Sequence, residues 1–125
     1  MADDWTIERH LADANPDVRA MYERLVRIVE ECGPFTYSVS KSAITFKGTR
    51  RGFAGTRPRR RYLGGYFDVT REIDDPRIAR VTPYTNRLFV HAWRVDALDQ
   101  MDGQFESWIR EAYAVGNGAH LHDAD

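Results

Sequence analysis

The stretch Glu31-Cys32-Gly33-Pro34-Phe35-Thr36-Tyr37-Ser38-Val39 decides the fold, because within it the apolar spacing changes from the period of a helix to that of a strand. Before it, Val18, Met21, Tyr22, Leu25, Ile28, Val29 and Cys32 line one helical face. Arg19, Glu23, Arg27 and Glu31 recur every four residues with alternating sign on the opposite face, the pattern of a surface helix with one buried stripe. Asn15 is a good N-cap, Pro16 fits the first helical position, and Gly33-Pro34 supplies the stop. Further upstream, Ile7, Leu11 and Ala14 predict a shorter first helix within residues 5–14.

After it, Phe35, Tyr37 and Val39 alternate with polar residues, and Ile44-Thr45-Phe46 continues the pattern. Residues 47–52 read as a turn leading to Phe53, and residues 55–59 as another turn around Pro58. A longer strand is expected over 60–70, with Leu63, Phe67 and Val69 on one face and Tyr62 and Tyr66 on the other. Gly64-Gly65 in its centre signals a bulge or a close backbone approach. Asp74-Asp75-Pro76 reads as a turn, 78–81 as a short strand, 83–86 as a turn, and 88–95 as the clearest strand of the chain. A last helix from Asp96 or Asp99 carries Leu98, Met101, Phe105, Trp108, Ile109 and Ala112, with Gly103 inside it costing about 1 kcal/mol relative to Ala. Gly116-Asn117-Gly118 ends it, leaving residues 117–125 as a loose tail. The sum is an α+β chain: N-terminal helices, an antiparallel meander of five to six strands and a C-terminal helix, in two layers and one domain spanning residues 1–125.

The 125 residues, 42% hydrophobic and 30% charged, are enough for one core and too few for two. The longest apolar run, residues 112–115, is far below the roughly 20 residues of a membrane span, and the start Met1-Ala2-Asp3-Asp4 is acidic where a signal peptide would be basic. A lone Cys32 cannot close an intrachain disulfide, as expected of a cytosolic protein. No membrane, cofactor or metal is expected from these features.

A formal net charge of −1 conceals a division along the chain. Residues 32–67 hold eight basic side chains (Lys41, Lys47, Arg50, Arg51, Arg57, Arg59, Arg60, Arg61) and no acidic one, whereas both flanks are net acidic. Such asymmetry permits a strong local field.

Arg50, Arg51, Arg57, Arg59, Arg60 and Arg61, near two predicted turns within residues 47–61 and interleaved with Phe46, Phe53, Tyr62 and Tyr66, are candidates for binding an anion, with a polyanion or nucleic acid as partner. The alternative is that they pair with the acidic flanks, where each exposed pair contributes only about 0–1 kcal/mol. Arg51-Gly52-Phe53-Ala54 matches the first half of the aromatic signature of RNA-recognition-motif domains, but Gly55-Thr56-Arg57-Pro58 breaks the second half, and the element order differs. His91 shares a strand face with Phe89, Trp93 and Val95, so it is either a core histidine or the centre of a pocket with Tyr62, Tyr66, Gly64 and Gly65. Cys32 lies at a helix C-terminus, where the dipole raises a thiol's pKa, and reads as a core residue. Ser38-Val39-Ser40-Lys41 formally matches S-x-x-K without its partner motifs, and His120-Leu121-His122-Asp123 is at most a weak metal ligand set in a tail. Walker, dinucleotide-binding, nucleophile-elbow and H-E-x-x-H motifs are missing, which leaves a non-catalytic binding or accessory module as the leading reading, of undetermined oligomeric state.

Trp5, the helix ending Glu31-Cys32-Gly33-Pro34, residues 41–46 with Ile44, Gly52-Phe53-Ala54, Arg61-Tyr62-Leu63 through Val69, His91 and Trp108-Ile109-Arg110-Glu111-Ala112-Tyr113 together resemble an uncharacterised bacterial family, a domain of unknown function. The resemblance covers nearly the whole chain. It implies a small cytosolic α+β domain and carries no catalytic residues. More distantly, the layout resembles the YdhG and YjbR groups of small bacterial proteins, the latter suspected of binding DNA; fold alone does not settle function.

Overall fold

The Asn15 side chain accepts a hydrogen bond from the Val18 amide at 2.9 Å and starts α2 (Pro16–Cys32), whose buried stripe is the one the sequence predicts except for Cys32, which is only half-buried at the helix end. In the computed structural model, which describes residues 5–85 and 87–118, α2 ends at Gly33 with φ +142°, a conformation that favours glycine. A short α1 (Ile7–Leu11) precedes it, capped by Thr6. The strands are β1 (Thr36–Val39), β2 (Ile44–Lys47), β3 (Gly52–Pro58), β4 (Leu63–Val69), β5 (Ile78–Pro83) and β6 (Phe89–Val95), followed by a 3-10 turn (Leu98–Gln100) and α3 (Gly103–Gly116).

All strand pairs are antiparallel, in the order β1-β2-β3-β4-β6-β5. The chain meanders through β4, and β6 then returns between β4 and β5. That placement follows from composition: β6 carries His91, Trp93 and Val95 to the core, while β5, with Arg80, Thr82 and a terminal Pro83, suits an edge. Helices α2 and α3 cover one face of the sheet and enclose Ile44, Phe46, Phe53, Leu63, Phe67, Val69, Trp93 and Val95 with Met21, Leu25, Phe105, Trp108 and Ile109. Arg77 ties the β4–β5 connection to α3 by bonds to Asp75, Gln100, Asp102 and Gln104, its guanidinium 4.6 Å from the Trp108 ring centroid.

Three local expectations change. The turn expected at 55–59 lies at 59–62 instead: Gly55 and Thr56 pair with Tyr66 and Gly65, Thr56 Oγ1 donates to the Gly64 carbonyl at 2.7 Å, and the Arg59 amide donates to the Tyr62 carbonyl at 3.0 Å. The last helix does not start at Asp96 or Asp99. Asp102 accepts from the Phe105 amide at 3.0 Å and restarts the chain as α3, so Gly103 is its first residue and not an interior one. Asn117 and Gly118, expected in a loose tail, are tied down: the Thr49 amide donates to Asn117 Oδ1 at 2.9 Å, and the Gly118 amide to the Val115 carbonyl at 2.9 Å. The rest of that tail, with His120, His122 and Asp123, lies outside the described residues.

Candidate functional site

In an antiparallel pair, directly opposed residues share a face. The register therefore builds two cross-strand rows on the sheet face away from the helices: Thr45, Gly55, Tyr66, Ala92, Arg80 in one, and Arg57, Gly64, Arg94 in the other. A register shift between Ile78 and Arg80 is what brings Arg80 opposite Ala92. The Tyr66 hydroxyl bonds Thr45 Oγ1 at 3.0 Å although two strand spacings, about 10 Å, separate their backbones. The phenol can span that gap only by lying along the sheet, and it does so across Gly55, where a Cβ would collide with the ring. Burial pushes the Tyr66 pKa up, so the phenol keeps its proton. Tyr62 lies beside Gly64, and the Arg94 guanidinium stacks 3.9 Å from its ring centroid while pairing with the exposed Asp96 at 3.0 Å.

The tight turn joining β3 to β4 carries Arg59, Arg60 and Arg61, with Arg57 just before it. The turn is anchored by the Asn15 amide, which donates to the Arg60 carbonyl at 3.0 Å. Among the described residues, none of these four guanidinium groups has an ion pair or hydrogen bond. Three open concavities meet at the turn. One of about 830 Å³ lies between α1 and the turn and includes Trp5, His10, Lys41 and Arg57. A second is formed by Arg59, Arg60, Arg61, Tyr62 and Arg94. The third, about 540 Å³, runs over the open sheet face along Tyr62, Gly64, Tyr66, Val90 and Ala92. Arg59 lines all three.

The six arginines singled out by charge are not brought together. Arg50 and Arg51 stand at the other end of β3, about 20 Å of strand away. Arg51 bonds Asp68 Oδ2 at 2.7 Å and sits over the Tyr84 ring, so its charge is matched. Asp68 is 4% exposed, its Oδ1 has no partner, and burial outweighs Arg51 to push its pKa up to about 6.

His91 does not join Tyr62 and Tyr66. It faces the helices, fully buried and stacked on Phe67 with ring centroids 5.1 Å apart. Its Nε2 accepts from the Ile73 amide at 3.0 Å, which leaves Nδ1–H to donate to the Phe89 carbonyl at 3.0 Å. Burial holds its pKa down. Gly65 faces Trp93, where a Cβ would collide with the indole, but with Gly64 it still borders the groove beside Tyr62 and Tyr66. Phe46 and Phe53 are wholly buried and unavailable for stacking on a ligand. Cys32 is half-buried, donates to the Ile28 carbonyl, and has its pKa raised chiefly by burial. Ser38 stands on an exposed edge strand. Among the described residues, no group of His, Cys, Asp and Glu is suited to hold a metal, and no helix is long and apolar enough to cross a membrane.

Lys41 is counted in the basic segment but left out of the candidate set, and charge counting missed Arg80 and Arg94, which the fold adds to the open face. Alternation in the 88–95 strand, which puts Arg94 on the face opposite Trp93, was the signal that could have found one of them. No curated protein and no solved structure matches the chain. A family model matches residues 7–116, and with so much of its length covered the chain belongs to the family described as Domain of unknown function (DUF5655).

Proposed function

We propose that this chain is a non-catalytic, cytosolic module that binds a polyanion, nucleic acid by preference, through the β3–β4 turn. The observation that carries the reading is the group Arg57, Arg59, Arg60 and Arg61, unmatched by any carboxylate among the described residues and bordered by three concavities. Unpaired arginines suit phosphate because the planar fork meets two oxygens at once. Among the described residues, the two groups best suited to catalysis are otherwise engaged: His91 spends both ring nitrogens on backbone, and burial keeps Cys32 a thiol.

Retention on heparin in a salt gradient tests this. The wild type is expected to bind at about 50 mM salt and elute well below 1 M, and the triple variant Arg59→Ala/Arg60→Ala/Arg61→Ala to elute much earlier. A wild type that passes unretained at low salt overturns the reading.

A further inference from the structure

The open sheet face adds to the arginine turn something a plain anion site does not need: an aromatic ring lying along the sheet. Tyr66 reaches across Gly55 to Thr45, and its half-buried ring lines the groove. The floor beside it is Gly64 and Ala92, and the rims carry Arg57, Arg80 and Arg94. On the open face Asp68 is buried against Arg51 and Asp96 is paired with Arg94, while Asp13 lines the concavity by α1 and not the groove over the sheet. We infer that the polyanion is a single-stranded nucleic acid, lying on the outer face of the sheet with a base stacked on Tyr66 and its phosphates held by Arg57, Arg80 and the β3–β4 turn; this rests on the polyanion reading above.

Two physical arguments favour a single strand over a duplex. Arg59 borders the concavity by α1 and also the groove on the outer face, so the cationic track folds around the turn. A duplex, with a persistence length of about 150 base pairs, cannot follow a bend on that scale, whereas a single strand can. The bases of a duplex are also stacked on one another and show only their edges, so a flat ring gains nothing from them. A base–aromatic stack needs an unpaired base, and it accepts any base because every base has a π-face.

The test compares three labelled probes by fluorescence polarisation at about 50 mM salt: an oligothymidylate of about twelve residues, its duplex with oligoadenylate, and an abasic strand of the same length. The oligothymidylate is expected to bind about tenfold more tightly than either of the others. Tyr66→Leu should remove most of that advantage and leave the abasic strand's affinity unchanged, while Tyr66→Phe, which keeps the ring, should bind like wild type. Gly64→Val is a second route. Its Cβ meets nothing closer than 3.5 Å, and a melting curve like that of wild type is required before its binding is read; the added methyl groups then obstruct the groove and weaken oligothymidylate selectively. Equal binding of oligothymidylate and abasic strand, tighter binding of the duplex, or loss with Tyr66→Phe equal to that with Tyr66→Leu would overturn the inference and leave the polyanion reading standing. Failure of all three probes together with failure to bind heparin would remove both.

Discussion

The two faces of the sheet are built from the same strands and the same registers, yet they obey different rules. On the inner face the central strands pack into the core under α2 and α3: Leu63, Phe67 and Val69 of β4 meet Val95, His91 and Phe89 of β6, and the buried polar members are satisfied, His91 through both nitrogens and Thr56 through the Gly64 carbonyl. On the outer face of the same strands stand Gly64, Tyr66 and Arg94, half-buried or exposed, with no helix over them. The difference teaches that Gly64 and Gly65, adjacent and chemically identical, serve opposite purposes. Gly65 makes room for Trp93 in the core, and Gly64 keeps a surface groove empty.

The largest test of that contrast is Gly65→Ala against Gly64→Ala. A Cβ at Gly65 would collide with the Gly55 carbonyl and the Trp93 ring, so chemical denaturation should show a loss of about 3 kcal/mol, whereas Gly64→Ala should stay within about 0.5 kcal/mol. Equal losses would break the comparison. Next, His91→Phe should cost about 2 kcal/mol by stranding the Ile73 amide, and should leave heparin retention unchanged; altered retention would return His91 to the binding site.

Asp68, the buried exception on the outer face, sharpens the comparison through pH. Its folded pKa of about 6 lies above the ordinary carboxylate value of 3.8, so the folded state takes up the proton first and stability from this group rises as pH falls through 6. Between pH 7 and pH 5 the wild type should gain about 1 kcal/mol relative to Asp68→Asn. His91, whose pKa is held down, contributes the opposite slope in both proteins and cancels in the difference. A flat difference across that range would show that Arg51 outweighs burial. The smallest stability effect is expected for Arg59→Ala/Arg60→Ala/Arg61→Ala, within about 0.5 kcal/mol by melting, because those side chains make no bonds to the rest of the described fold.

Most elements were legible because their signals are local. Asn15-Pro16 and Gly33 mark the ends of α2 through capping and backbone conformation, and alternation in residues 88–95 gives β6 and the burial of His91. The errors are equally physical. Pro58 was read as a turn residue although a proline closing a strand loses only a terminal hydrogen bond, and Asp99 looked like a helix start because Asp102, three residues on, offers the same chemistry with better geometry.

The sequence by itself determined the class of the fold, most of the core and the existence of an all-basic central segment, because periodicity and charge are written residue by residue, although Tyr37 and Leu98 of the apolar patterns are exposed. Only the tertiary structure decided which arginines are neutralised and which remain available. That depends on strand register, which sets Arg51 against Asp68, places seven residues of β3 between it and the turn, and brings Arg80 and Arg94 from distant sequence onto the face where Tyr66 lies.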